Sequence, residues 1–384
     1  MPDTPPIAAA QSARPPRFLI GGLGALAVAI GIGRFLYTPI LPSMMAALGL
    51  SKFAAGLIAS ANFAGYLAGA ILVAGPRLST RRWVLGGLLA SAATTGAMGF
   101  AHSVMLLVIL RAAGGMASAI VLILASEAVL QGLAEIDRSE LGVVMFAGVG
   151  TGIVASALLV SALRAIGFDW SGLWIAGGAL SLLAVWASWS LIPDCTRHPA
   201  PLRAGPEPRD RRFTRLIVAY GLFGFGYIIT ATYLVAIVRS NLGTRAIEPM
   251  VWVVFGVVAI PSVFLWGAAG RRWSAARAFA LAALAEAVGV LGTVLWRSDT
   301  GIIVGTVLVG GTFMGLTALG LARGRELARN NPQRGLAVMT GAFGLGQIVG
   351  PTFAGALSDR LGNLTVASVT AAAALVASAV LITR

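Results

Sequence analysis

The sequence predicts an all-α membrane protein of twelve transmembrane helices arranged as two pseudo-symmetric six-helix bundles. Three observations carry that prediction: an apolar composition, twelve stretches of bilayer-crossing length, and a weak repeat between the two halves. Of 384 residues, 58% are hydrophobic and only 11% are charged, whereas soluble domains carry about 25% charged residues. A water-facing globule of this length needs more polar surface than the chain has. The apolar residues gather instead into runs of about 20, enough to cross a bilayer as a helix.

The runs lie near 18–47, 53–75, 83–101, 104–130, 141–163, 172–192, 216–238, 250–269, 277–295, 300–322, 335–357 and 364–382. Trp83, Trp170, Trp174, Trp252, Trp266, Trp273 and Trp296 stand near run ends, where amphipathic rings favour the membrane–water interface. Cytoplasmic loops of such proteins retain Lys and Arg. Of the 28 such residues, Lys52, Arg164, Arg239, Arg245, Arg297 and Arg360 fall in one set of loops and Arg34 and Arg111 within runs. The remaining twenty share the side of the N-terminus. Both termini are therefore expected in the cytoplasm, and the membrane is read as the inner membrane of a bacterium.

Residues 1–17 are Pro-rich and read as a disordered tail. They are not a cleaved signal, since the apolar run that follows is too long and lacks a small-residue cleavage site. Residues 193–215, with five prolines and no hydrophobic period, read as a cytoplasmic linker at the chain's midpoint. It separates a bundle over 18–192 from one over 216–384. The two halves repeat in order. Gly31-Ile-Gly33-Arg34 aligns with Gly224-Phe-Gly226-Tyr227, Arg81-Arg82-Trp83 with Arg271-Arg272-Trp273, Gly114-Gly115 with Gly310-Gly311, and Gly148-Val-Gly150 with Gly344-Leu-Gly346. The separations stay between 190 and 196 residues.

Composition also excludes chemistry. The one lysine, Lys52, follows no glycine-rich loop, so there is no phosphate-cradling GxxxxGK[ST]. A single cysteine, Cys195, forms no intramolecular disulfide or thiolate cluster, and His102 and His198 both fall in loops. No cofactor, no metal and no enzymatic activity are expected, and the energy for any work must come from a solute or ion gradient. The net charge of +14 is arginine in short loops, which sets membrane orientation rather than binding nucleic acid.

Six plus six runs, both ends on one side, a basic central loop and parallel halves resemble the major facilitator superfamily, in which the substrate site lies near the midplane. Arg111-Ala-Ala-Gly-Gly115 is similar to that superfamily's RxxxG motif. The loop Gly75-Pro-Arg-Leu-Ser-Thr-Arg-Arg82 occupies the place of its GxLaDrxGrk loop, without the aspartate. The stretches 31–43, 59–70 and 220–235 resemble the YbfB/YjiJ-like branch. The resemblance implies a secondary transporter that alternates access by rocking its two halves about a central site. It offers no substrate, so the site must be read from the residues.

Four ionisable residues fall within runs: Arg34, Arg111, Glu127 and Glu286. Such groups are costly in hydrocarbon and normally face a cavity or a partner. Arg111 lies about 12 Å below the turn at Ser103 by helical rise, a depth Arg34 shares. Glu127 falls near the cytoplasmic end of its run and reads as a partner for loop arginines such as Arg138. Two guanidinium groups without an acid leave a place for an anion, and their planar donors suit carboxylate or phosphate. For Arg111 a second reading stays open, that it ties backbone carbonyls between helices. Helical spacing places Tyr37 beside Arg34, Tyr66 beside Asn62, Tyr227 in line with Tyr220, and Gln347 in line with Thr340. The candidate substrate-binding set is thus Arg34, Tyr37, Asn62, Tyr66, Arg111, Tyr227 and Gln347. Glu286 is a coupling candidate with H+ as the ion, although a packed, protonated carboxyl is the plainer reading.

The expected partners are a small-molecule substrate, an organic anion by this reading, and the lipid bilayer; a monomer holds a complete site. Two alternatives stay open. One is a proton-coupled exporter of drugs or metabolites, although the fifth run has no Gly-Pro, while the eleventh has Gly350-Pro351. The other is a membrane sensor or assembly partner that binds solute without carrying it.

Overall fold

The computed structural model describes residues 16–73, 79–191, 211–240, 242–328 and 332–383. Twelve helices are long and apolar enough to span a bilayer: α1 (Arg17–Leu48), α2 (Lys52–Val73), α3 (Thr80–Phe100), α4 (Val104–Glu135), α5 (Ser139–Ala165) and α6 (Trp170–Ala187), then α7 (Arg211–Ser240), α8 (Gly243–Trp273), α9 (Ala275–Leu295), α10 (Asp299–Leu327), α11 (Gly335–Leu361) and α12 (Thr365–Thr383). The predicted fold class is borne out. We call the face where α1 begins and α12 ends proximal, and the opposite face distal.

Several helices outrun the apolar runs that predict them. α4 continues to Glu135, α10 to Leu327, and α7 starts at Arg211 rather than 216. Hydropathy marks where hydrocarbon ends, but backbone hydrogen bonding continues into the aqueous boundary wherever no proline or turn residue stops it. The last five residues of the expected 193–215 linker are therefore helical; 192–210, and residues 1–15 of the expected tail, lie outside the described residues.

Each half packs by the same plan. α1 lies against α5, α2 against α4, and α3 against α4 and α6; six helices later, α7 lies against α11, α8 against α10, and α9 against α10 and α12. Without a hydrophobic force between helices in lipid, close backbone approach supplies the contact. A Cβ at Gly65 would lie 1.8 Å from the Ala112 carbonyl oxygen, and one at Gly115 would lie 1.9 Å from that of Asn62. Larger residues there would push α2 and α4 apart. The halves meet along α2–α11 and α5–α8, with α1 against α7.

The tryptophans correct one expectation. Trp83, Trp273 and Trp296 are exposed near helix ends, but Trp170, Trp174 and Trp252 are buried. Trp174 packs on Tyr37 at 6.3 Å, and Trp252 stacks on Phe255 at 4.6 Å and meets Phe35 at 6.1 Å. These rings brace the core beside the middle of α1 rather than sitting at the lipid boundary.

Candidate functional site

The site begins with a break in α1. The span winds as an α-helix from Arg17 to Leu26, as a π-helix from Ala27 to Ile32, turns through 33–36, and resumes as an α-helix from Tyr37 to Leu48. Two prolines account for it. Pro39 has no N–H for the Phe35 carbonyl and its ring crowds that group; Pro42 does the same to Thr38. The ladder adjusts by Gly33 N–H bonding Val28 O at 2.8 Å and Thr38 N–H bonding Phe35 O at 3.3 Å. Carbonyls freed in a membrane helix need other donors.

Arg111 on α4 supplies donors to two carbonyls at the start of the turn. Its Nη1 donates to Gly33 O at 2.9 Å and its Nη2 to Arg34 O at 3.2 Å. The Tyr37 ring packs on the same guanidinium at 5.0 Å, a cation–π contact. Asn62 Nδ2 donates to the Arg111 carbonyl at 3.0 Å, and the Tyr37 hydroxyl donates to Ala55 O at 2.7 Å. Of the two readings left open for Arg111, the geometry takes the backbone one: both its Nη groups are occupied by α1, while its Nε is buried without a partner. Tyr37 and Asn62 join helices around it, so neither hydroxyl nor amide N–H is turned to a ligand here.

Arg34 differs. It is 8% exposed, and among the described residues no carboxylate lies within ion-pair distance of it. Its Nε and Nη2 are buried without a hydrogen-bond partner. The guanidinium stands over Tyr66 at 4.6 Å and Phe63 at 5.0 Å. The expected pairing of Arg34 with Tyr37 therefore gives way: the break in α1 turns Arg34 onto α2 and leaves Tyr37 beneath Arg111. Both arginines line a cavity of about 10 Å³ with Phe35, Tyr37, Thr38, Ala59 and Phe63 from one half and Ile228, Ala231 and Thr232 from the other. That is room for about one water molecule, so the halves must separate before a larger solute fits.

The second half answers with aromatic rings. The Tyr227 hydroxyl accepts a hydrogen bond from Gln347 Nε2, which leaves its own proton free to donate. Tyr227 stacks on Phe223, Phe313 and Phe343 with centroids 5.2–5.7 Å apart. Phe35, next to Arg34, crosses from the first half to meet Phe313 at 6.1 Å. Tyr220 shares the face of Tyr227, and its hydroxyl donates to Thr317 O at 3.1 Å. Of the predicted set, Arg34, Tyr37 and Arg111 line the cavity, Tyr66 packs under the Arg34 guanidinium, Tyr227 sits in the aromatic cluster of the second half, and Asn62 and Gln347 stand behind as supports. Glu286 is fully buried on α9, where its Oε2 accepts from Thr312 at 3.1 Å and its Oε1 has no partner. Glu127 is exposed on α4, and Arg138 lies 4.0 Å from Glu140.

Sequence reasoning missed the residues that close the distal face. Asp359 at the end of α11 caps the first turn of α2, accepting from the backbone N–H of Lys52 at 2.9 Å and of Phe53 at 2.8 Å. The Tyr233 hydroxyl donates to Lys52 O at 2.7 Å, and Ser60 meets Thr352 at 2.7 Å. Thr38 donates to Ala231 O at 2.8 Å. The buried Glu248 carboxylate joins Arg164 of α5 at 2.8 Å to Arg239 of α7 at 3.3 Å. A Cβ at Gly56 or Gly355 would lie 2.2 Å from a carbonyl of the opposite half, Pro351 O or Lys52 O, so the two backbones touch here. Only the alternation of charge between helix ends could have flagged Asp359 and Glu248, and loop charges are usually solvated.

The family described as "uncharacterised MFS-type transporter YbfB" matches residues 26–383. No curated protein matches the sequence. A crystal structure of a mutant of the nucleoside transporter NupG is similar, with a TM-score of 0.75 at 14% identity, covering 96% of this chain and 98% of that one. At that identity the likeness is one of fold. The family match spans nearly the whole chain, from within α1 to the end of α12, with the Arg34 site inside it: the chain belongs to the YbfB-type family of major facilitator superfamily transporters.

Proposed function

We propose that this transporter carries a small organic anion, a carboxylate in the simplest case, bound at Arg34 between the two halves. The single observation behind this reading is the Arg34 guanidinium, buried with two unpartnered donors and, among the described residues, no acid within ion-pair distance. A desolvated cation is costly until an anion joins it, and the Tyr227 hydroxyl adds a third donor from the opposite half. By the arginine asymmetry of the loops, the proximal face is cytoplasmic in a bacterial inner membrane. The bonded distal face then makes this an inward-facing or occluded form. Reconstituted in liposomes, the protein is expected to show saturable uptake of organic acids that Arg34→Ala abolishes; undiminished flux in that variant refutes the site.

The aromatic stack favours a second reading, a planar uncharged solute packed on Tyr227 and Phe343, as the nucleoside specificity named for NupG would have it. Uptake of nucleosides that survives Arg34→Ala but fails in Phe343→Ala would establish it. Glu286 is fully buried with one carboxyl oxygen unpartnered, which supports its candidacy for proton coupling. Glu286→Gln is then expected to remove pH-driven flux while leaving exchange intact; unchanged pH dependence removes it from the mechanism.

A further inference from the structure

On the distal side of the Arg34 cavity lies a second hollow, of about 370 Å³. Arg164, Arg239 and Glu248 stand around it, with Pro39 of α1, Val235 of α7 and Trp252 of α8. It continues the line of the central site toward the distal face. Phe35, Thr38 and Ala231 border the smaller cavity, and Pro39 and Val235, a few residues further along the same helices, border this one. The Thr38–Ala231 bond ties the two halves at that level, and Trp252 meets Phe35 at 6.1 Å.

The hollow already holds a carboxylate. Glu248 Oε1 accepts from Arg164 Nη1 at 2.8 Å, and its Oε2 lies 3.3 Å from Arg239 Nε. An arginine from each half thus grips one acid. Glu248 opens the α-helical part of α8, where an acid offsets the partial positive charge of a helix N-terminus. That accounts for the acid but not for the wall beside it. Trp252 is 1% exposed, and its indole N–H is buried without a hydrogen-bond partner. An indole nitrogen only donates, and a buried donor left unmade is costly. What satisfies it is an acceptor.

We infer that this hollow is a distal binding site for the carboxylate of the transported anion, and that Glu248 occupies its arginines as a tethered stand-in. The inference rests on the organic-anion reading of the Arg34 site and adds where that anion binds on the distal side. An incoming carboxylate exchanges with that of Glu248 on Arg164 and Arg239, and the Trp252 N–H is a further donor. Guanidinium groups suit the exchange because any carboxylate offers them the same pair of oxygens. The displaced Glu248 has Arg245, also at the rim, to turn to. The exchange releases Arg164 of the first half from Glu248 of the second, so a solute bound here favours the form in which the distal face opens. Until then the tether gives Glu248 a high effective concentration, which keeps the site weak in the closed form.

The test is made without Arg34, so that the central site contributes nothing. Melting of purified Arg34→Ala, Arg34→Ala/Glu248→Gln and Arg34→Ala/Glu248→Gln/Arg164→Gln is followed in propionate, the free counterpart of the Glu side chain. Chloride at equal ionic strength and uncharged propionamide are the controls. Propionate is expected to stabilise the double variant specifically, half-saturating it at a concentration about tenfold below that needed in Arg34→Ala, where the tethered acid competes. The triple variant should show no shift. Arg164→Lys in place of Arg164→Gln keeps the charge without the fork, and should raise the half-saturating concentration several-fold. Absence of a propionate-specific shift in the double variant overturns the inference. So do equal half-saturating concentrations with and without Glu248, or a shift indifferent to both changes at Arg164. Because every one of these proteins lacks Arg34, the outcome is separate from the comparison of wild type with Arg34→Ala, which decides the central site alone.

Discussion

At one position of the internal repeat, α1 places Arg34 on a broken, π-wound stretch, whereas α7 places Tyr227 in a helix that runs uninterrupted from Arg211 to Ser240. The local sequences differ where the physics requires. α1 has Pro39 and Pro42; α7 has Thr232 and Val235 at the equivalent positions. α4 carries Arg111, and its repeat partner on α10 is Val307. The break and the arginine that caps it occur together in one half and are absent together from the other. The difference separates two arginines that look alike in the sequence: Arg111 serves the backbone, and Arg34, displaced by the break, faces the cavity. Its counterpart Tyr227 accepts from Gln347, carries no charge and needs no ion.

The comparison is broken most directly by removing the unpaired cation. Arg34→Ala is expected to lower organic-anion binding by about 100-fold, since hydrogen bonds to charged groups are worth about 1.5–3 kcal/mol each. Arg34→Lys, which keeps the charge but loses the fork, falls between. The next effect is on stability. Arg111→Ala leaves the buried carbonyls of Gly33 and Arg34 without donors, a loss of about 2–5 kcal/mol, read as a lower melting temperature. Pro39→Ala restores the i→i−4 donor for Phe35 O, now served by the Thr38 N–H, and lets α1 wind more evenly. It is expected to recover part of that loss, and a strictly additive double variant would show that Arg111 does not act through the break.

A smaller effect belongs to the distal contacts. Asp359→Asn weakens the cap on α2, a change on the order of 1 kcal/mol, and is expected to raise labelling of a Ser60→Cys reporter from the distal side. Unchanged labelling would mean that the cap does not hold that face. The smallest belongs to the satisfied side of the repeat: Tyr227→Phe keeps the ring stack and removes one neutral donor, so affinity should drop only several-fold, about 1 kcal/mol. A loss as large as that of Arg34→Ala would erase the asymmetry between the halves.

The fold was legible because hydrocarbon imposes it: twelve apolar runs and the loop arginines fix the spans, and paired glycines such as Gly114-Gly115 and Gly310-Gly311 mark the repeat. Arg34 and Arg111 were visible for the same reason, as costly charges inside those runs. Their different roles were not, because an unbroken helix would have set Arg34 beside Tyr37. The prolines that break it were in view, but which carbonyls they free and which donor answers depend on how α1 meets α4. Trp174 and Trp252 misled for a related reason, since nearness to a run end says nothing of which way a ring points. Asp359 and Glu248 were hidden among loop charges until packing joined α2 to α11 and α5 to α8.

The central claim is that Arg34 is a cation held for a ligand. A melting-shift screen of purified protein against organic acids, nucleosides and sugars, run on the wild type and on Arg34→Ala, tests it most directly. The account predicts stabilisation by one or more organic acids in the wild type and none in the variant. Stabilisation by the same acids in both proteins, or only by uncharged solutes in the wild type, would contradict it.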